Sequence, residues 1–198
     1  MHITLCSASK GRLDLLNQIG IYPEVAPVEI DETPYPKELP QHLARRLSLE
    51  KMNAAISHAY PTVATPLILI TAHTVTGVGR RILDKATSDD EVRAFLAFYS
   101  GRSCKVYTGL CVAKLEANRA PIIRIKLVTS AIRFKRITRA EIDWYVDAKS
   151  GVGCSGGLAY VTTQPLVKHF QGSVSGALGL PLYELVSLLN GFGWCLSV

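Results

Sequence analysis

Six consecutive residues, Ser7-Ala8-Ser9-Lys10-Gly11-Arg12, place two hydroxyls and two cations where an apolar strand gives way to a helical pattern. Backbone N–H groups at a helix start lack intrahelical partners and carry partial positive charge, so this loop suits an anion, and its hydroxyls and cations would grip phosphates. The same residues also read as an ordinary helix start capped by Ser9. No glycine-rich loop leads into Gly-Lys-Ser or Gly-Lys-Thr, which excludes a P-loop. Further on, Asp31-Glu32-Thr33-Pro34 closes a strand. Adjacent carboxylates can bind a divalent ion or position water, although acidic residues are also common before helices. Lys51 falls on a long helix, where a lysine is ordinarily solvated. His73 interrupts an apolar strand, either as a hydrogen-bonded core residue or as a ligand or base.

The elements that must hold these groups follow from periodicity and punctuation. His2–Cys6 reads as a first strand, and Leu13, Leu16 and Ile19 share one face of a helix closed by Gly20. Glu24–Ile30 alternates as a second strand, and a proline-rich loop then runs to Leu39. From Pro40 to Tyr60 a helix carries an apolar stripe including Leu43, Leu47 and Ala54, with Arg45, Arg46, Glu50 and Lys51 pointing elsewhere. Leu67–Val75 is a buried strand that Gly77-Val78-Gly79 turns into a short partner ending at Leu83. Ser88 with Glu91, and Thr138 with Glu141, predict capping boxes for helices at Asp89–Tyr99 and up to about Ala148. Two long strands, Cys104–Leu115 and Ile122–Phe134, flank the turn Glu116-Ala117-Asn118-Arg119. A glycine-rich stretch, Ser150–Gly157, leads to short strands at Leu158–Thr162 and Leu166–Phe170, and Pro181 opens a last helix that Gly191 ends. This order predicts an α/β fold with a curved mixed β-sheet flanked by helices. A boundary near residue 101 could separate two lobes, but no linker marks it, so residues 1–198 are expected to form one domain.

Composition narrows the setting. The 198 residues are 48% hydrophobic and 19% charged, a balance that supports a packed core and argues against disorder. The net charge of +6 is scattered along the chain. Its densest stretch, Arg133, Lys135, Arg136 and Arg139, has only Phe134 interleaved and reads as the polar side of a strand end, so no nucleic-acid partner is expected. Five cysteines, none in a Cys-x-x-Cys pair, point to neither a disulfide framework nor a structural zinc site. A reducing, cytoplasmic location is the simplest expectation. The start lacks the basic lead and long apolar core of a signal peptide, and the longest apolar run, Pro66–Ile70, is too short to span a bilayer.

Together the pieces acquire a pattern. The order Ser-Ala-Ser-x-x-Arg, Asp-Glu-Thr-Pro, a helix with Lys51, Ala72-His73-Thr74, Leu83-Asp84-Lys85, Ser100-Gly101-Arg102-Ser103, Val106-Tyr107-Thr108-Gly109 and Gly179-Leu180-Pro181-Leu182 resembles the Maf family from about Ile3 to Gly193. The resemblance implies a Maf/ITPase-like fold of two lobes with a nucleotide cleft between them. It also implies hydrolysis of a nucleoside triphosphate to monophosphate and pyrophosphate, with a divalent cation, magnesium or manganese, as cofactor and a homodimer as the assembly. Ser7, Ser9, Arg12, Lys51, Thr74 and Lys85 match the substrate-binding positions, and Glu32 matches the metal position.

Departures fall on the same site. One arginine of the family's Ser-Pro-Arg-Arg is absent, since the loop reads Ser9-Lys10-Gly11-Arg12. The family's Ala-Asp-Thr, with the presumed base, reads Ala72-His73-Thr74, and its Gly-Lys-Pro reads Asp84-Lys85-Ala86. Its Lys-Ala-Gly reads Cys154-Ser155-Gly156, and Val161 stands at the position of a base-recognising Gln. His73 and Asp84 are therefore the candidate catalytic pair, because a hairpin at Gly77-Val78-Gly79 would fold Asp84 back toward His73; the alternative is that Asp84 ligates the metal and His73 is only a packed core residue. The competing expectation is a nucleotide-binding or regulatory protein on the same fold that has lost turnover.

Overall fold

The computed structural model describes residues 2–59 and 65–196. Seven strands form one mixed sheet in the order β2-β1-β3-β5-β6-β7, with β4 paired to β3. They are β1 (His2–Leu5), β2 (Glu24–Val25), β3 (Leu67–Val78), β4 (Arg81–Leu83), β5 (Ser103–Leu115), β6 (Ile122–Phe134) and β7 (Val167–Gln171). The helices are α1 (Lys10–Gln18), α2 (Pro40–Ala59), α3 (Asp89–Tyr99), α4 (Arg139–Asp147), α5 (Tyr160–Thr163), α6 (Val174–Ala177) and α7 (Leu182–Asn190).

The parallel trio β2-β1-β3 places the site. The chain leaves β1 through α1 to reach β2 on one side, then returns through α2 to β3 on the other. Leu15 and Leu16 of α1 and Leu185 and Leu189 of α7 pack on Leu5, Ile68, Ile70 and Ala72. Met52 and Ala55 of α2 pack with Leu69 and Cys111, and Leu43, Ala44 and Leu47 pack with Val75. Side chains alternate along a strand, so α1 and α2 cover opposite faces of β3. Connections that leave on opposite faces open a crevice at the carboxyl end of the central strand. Here β1 pairs with β3 only as far as Ile70, and β4 joins β3 from Thr76 onward. The intervening edge of β3, which carries His73 and Thr74, is free of a strand partner on that side.

Close packing of α2 depends on one glycine. A Cβ at Gly109, which pairs with His73, would lie 2.3 Å from the Ala44 carbonyl oxygen and 2.6 Å from Ser48 Oγ. Thr71 Oγ1 donates to the Ser48 carbonyl at 2.8 Å and fixes the helix against the sheet.

Several expected elements differ. The second strand ends at Val25 instead of Ile30, because Pro27 has no N–H to continue the ladder and β1 ends at Leu5. β3 continues through Gly77 to Val78, and the turn is Gly79-Arg80 with Gly79 at φ +60°. Leu158–Thr162 is not a strand: Thr163 N–H donates to the Ala159 carbonyl at 2.9 Å, closing a helical turn. Thr138 and Glu141 form the full capping box, whereas at Ser88 only half forms, since Glu91 Oε2 accepts from Thr87 instead. The α2 helix is described to Ala59; Tyr60, its expected end, lies outside the described residues.

Candidate active site

A cavity of about 510 Å³ opens at the end of β1. Ser7, Ser9, Arg12, Glu32, Lys51, His73, Thr74 and Lys85 all line it, brought from five separate segments of chain. The volume lies within the range of small-molecule sites, roughly 300 to 1,000 Å³.

The first wall is the β1–α1 loop. Ser7 Oγ accepts from Ser9 N–H at 3.2 Å and from Arg12 NH1 at 2.9 Å. Ser9 takes the N-cap position of α1, but its side chain makes no capping bond, and the N–H groups of Lys10 and Gly11 have no partner among the described residues. Arg12 also donates from Nε to the Gly179 carbonyl at 2.8 Å and from NH2 to Thr74 Oγ1 at 3.3 Å. The hydroxyls then sort themselves. Thr108 Oγ1 gives its hydrogen to the Gly176 carbonyl at 2.7 Å, so at its 3.0 Å contact with Thr74 it must accept. Thr74 therefore donates to Thr108 and accepts from Arg12. Burial brings the Arg12 pKa down to about 10, opposed by Glu32, and the group stays charged at neutral pH.

Glu32 holds the centre of the second wall. Lys51 Nζ lies 2.5 Å from Oε1, Lys85 Nζ 3.7 Å from Oε2, and His73 Nδ1 3.8 Å from Oε1. Burial alone would raise the Glu32 pKa, but the Lys51 hydrogen bond and surrounding positive charge outweigh it and hold the carboxyl below its usual range. Burial pushes His73 down to about 3; Glu32 opposes that shift, while Arg12, Lys51 and Lys85 add to it. The imidazole is thus neutral and weakly basic.

Asp84 lines an adjoining recess of about 400 Å³ with Glu32, His73, Thr74 and Lys85. Its carboxylate makes no hydrogen bond or ion pair among the described residues, and its carbonyl accepts from Gly156 N–H at 2.8 Å. The hairpin does not set Asp84 opposite His73. Its last rung joins Thr76 to Leu83, leaving His73 three residues before that rung and Asp84 one residue after it. The carboxylate beside the imidazole is that of Glu32.

The glycine-rich stretch, where Cys154-Ser155-Gly156 stands for the family's Lys-Ala-Gly, supplies a third wall. Ser155 Oγ accepts from Thr76 N–H at 2.9 Å, Thr76 Oγ1 donates to the Ser155 carbonyl at 3.1 Å, and Lys85 bridges to Ser155. No local pattern announces a contact across 79 positions of sequence. Val161 is 79% exposed and does not line the cavity. The carboxamide that does is Gln164, near an apolar end formed by Val106, Ile132, Leu158 and Phe170.

Among the described residues no group of three or more His, Cys, Asp or Glu side chains could hold a metal ion. Magnesium, however, is commonly bound by one or two carboxylates together with substrate phosphates. Glu32 fits that mode, in which the ion arrives with the polyphosphate.

A profile for a family described as Maf-like protein matches residues 2–192. A nucleoside triphosphate pyrophosphatase of Rickettsia africae (strain ESF-5) is 40% identical over 199 residues, covering 99% of this chain and 90% of that protein. Its counterpart in Rickettsia felis (strain ATCC VR-1525 / URRWXCal2) is 40% identical over 194 residues, covering 97% and 93%. Among solved structures, the Staphylococcus aureus Ham1 protein is 10% identical with a TM-score of 0.41, covering 97% of this chain and 100% of that one, too loose a likeness to argue from. No described helix is long and apolar enough to cross a membrane.

Proposed function

The chain belongs to the Maf-like protein family, and from that premise we propose that it hydrolyses a nucleoside triphosphate to the monophosphate and pyrophosphate. The observation that carries the reading is the cavity itself, where Arg12, Lys51 and Lys85 surround one carboxylate beside an uncapped helix start. The apolar end takes the base, and the cations and N–H groups take the phosphates.

In this reaction water attacks the α-phosphorus, the bond from that phosphorus to the bridging oxygen breaks, and pyrophosphate leaves. Ser7, Ser9, Arg12 and Lys85 hold the polyphosphate in line, with Thr74 at the substrate site holding the Arg12 fork and Lys51 fixing Glu32. His73 accepts the water's proton at a ring nitrogen. Burial first, and the three cations with it, hold its basicity down; the negative charge of a bound triphosphate offsets the cations and moves the imidazole toward a useful range. Glu32 orients the ring, and Asp84 across the recess stabilises its charged form. A magnesium or manganese ion held by Glu32 would neutralise phosphate charge. Cytoplasmic residence and a homodimer belong to the same proposal.

One observation favours a second reading, a nucleotide binder without turnover: the neutral, weakly basic His73 stands where the family has an aspartate. Pyrophosphate release from a panel of triphosphates, with magnesium, manganese and a metal-free control, decides between them. Release above the control supports the enzyme. Calorimetric binding without release selects the binder, and no binding removes both.

A further inference from the structure

Glu32 sits in a long irregular loop, residues 26–39, between β2 and α2. A carboxylate on such a segment acts at a fixed point only if something outside the cavity fixes the backbone. Arg46, on α2 and absent from the cavity lining, gathers that loop around one guanidinium. Its Nε donates to Glu38 Oε1 at 2.8 Å and its NH2 to Glu38 Oε2 at 2.7 Å, the two-pronged geometry that makes an arginine–carboxylate pair directional. NH2 also donates to the carbonyl of Thr33, the residue after Glu32, at 3.1 Å. NH1 ties the group to Glu50 on its own helix at 3.0 Å. The guanidinium lies 3.8 Å over the Tyr35 ring centroid, and Tyr35 N–H donates to Glu38 Oε2 at 3.0 Å. Thr33, Tyr35 and Glu38 are thus secured by one side chain that is only 17% exposed, against a Glu38 that is 8% exposed.

We propose that Arg46 is a positioning residue that sets Glu32 in the cavity by fixing the loop that follows it, from Thr33 to Glu38. The same helix then holds Glu32 twice, through Arg46 at the backbone and through Lys51 at the carboxylate. A lysine at position 46 could keep the charge but not the two-pronged bond, the carbonyl contact and the ring stacking together. This inference rests on the reading of Glu32 as the working carboxylate of a triphosphate site.

The test is a cycle of Arg46→Ala and Glu32→Gln, singly and together, with Glu38→Gln as a milder second way to loosen the loop. Thermal melts restrict the comparison to folded variants. Arg46→Ala is expected to lower kcat by about ten- to a hundredfold while KM changes less than about threefold, since Arg12 and Lys85 keep their phosphate contacts. In the Glu32→Gln background the same substitution should change kcat by less than about twofold, because nothing remains to position. Arg46→Lys and Glu38→Gln should fall between. An equal loss in both backgrounds, a change confined to KM, or an unchanged kcat overturns the proposal. If the wild type binds triphosphate without releasing pyrophosphate, the catalytic reading fails and the cycle is read by calorimetry. An effect of Arg46→Ala on triphosphate affinity only when Glu32 is present then sustains the positioning role, and an equal effect in both backgrounds refutes it.

Discussion

Replacing Arg12 by lysine separates what that side chain does for the fold from what it does for a ligand. A guanidinium has five N–H donors, and three are spent within the protein, on Gly179, Ser7 and Thr74. Two remain for a phosphate. A lysine keeps the charge, but its single nitrogen cannot reach three acceptors arranged around a planar fork, so at least two of these bonds are lost. Hydrogen bonds to charged groups contribute about 1.5 to 3 kcal/mol each, and partial exposure with water replacement discounts them, giving a loss of about 2 to 4 kcal/mol in folding stability. Phosphate affinity should fall at least about tenfold, or about 1.4 kcal/mol, with the two-pronged contact gone. Denaturant unfolding gives the first quantity and calorimetry with a triphosphate the second, and Arg12→Ala should exceed both losses. A lysine variant as stable as wild type, with unchanged affinity in the folded protein, would falsify the placement of this loop at the phosphates.

His73→Asp restores the family's carboxylate, and Arg12, Lys51 and Lys85 balance Glu32, Asp84 and the new side chain, so the variant should fold and release pyrophosphate at least about tenfold faster. Equal or slower release would mean that the aspartate is not what this cavity lacks. Stability should also fall in acid: with His73 lowered from an ordinary 6.5 to about 3, the unfolded chain binds a proton that the folded one refuses throughout that interval. Denaturation midpoints of wild type should therefore decline as pH drops from 6.5 toward 3, more steeply than those of His73→Gln; parallel curves would count against a buried neutral imidazole. Base selectivity should be weak, under about a hundredfold across UTP, TTP, CTP, GTP and modified pyrimidine triphosphates, because an exposed rotatable carboxamide at Gln164 can present either donor or acceptor. A larger preference for one base, surviving Gln164→Ala, would place base recognition elsewhere.

What the sequence disclosed follows the range of the forces involved. α2, α3 and the long strands were legible because their apolar spacing and caps are local, and Ser9, Thr138 and Gly191 lie within a few residues of the boundaries they mark. The candidate residues of the main cavity were legible as types at positions, and eight of them do converge there. Their electrical state was not. Nothing near His73 in the chain indicates that Arg12, Lys51 and Lys85, contributed by three other segments, depress its basicity together with burial. The strand expected at Leu158–Thr162 failed for a related reason. Its apolar and β-branched residues fit a short strand, but Tyr145 OH, from a helix before the glycine-rich stretch, accepts the Ala159 N–H at 2.7 Å and donates toward Gly157.

The motifs that served only to mark the family turn out to have distinct mechanical work. Thr108 receives the Thr74 hydroxyl and passes the chain of hydrogen bonds to Gly176, while Gly109 admits the backbone of α2. Gly179, at φ +113°, turns its carbonyl to Arg12, and Leu180 buries itself beside α1 and α7. These residues hold Arg12 and α2 in place whatever occupies position 73. A site can therefore keep its shape after exchanging an aspartate for a histidine, and its chemistry is tested at His73 and Arg46 more sharply than by the presence of the motifs.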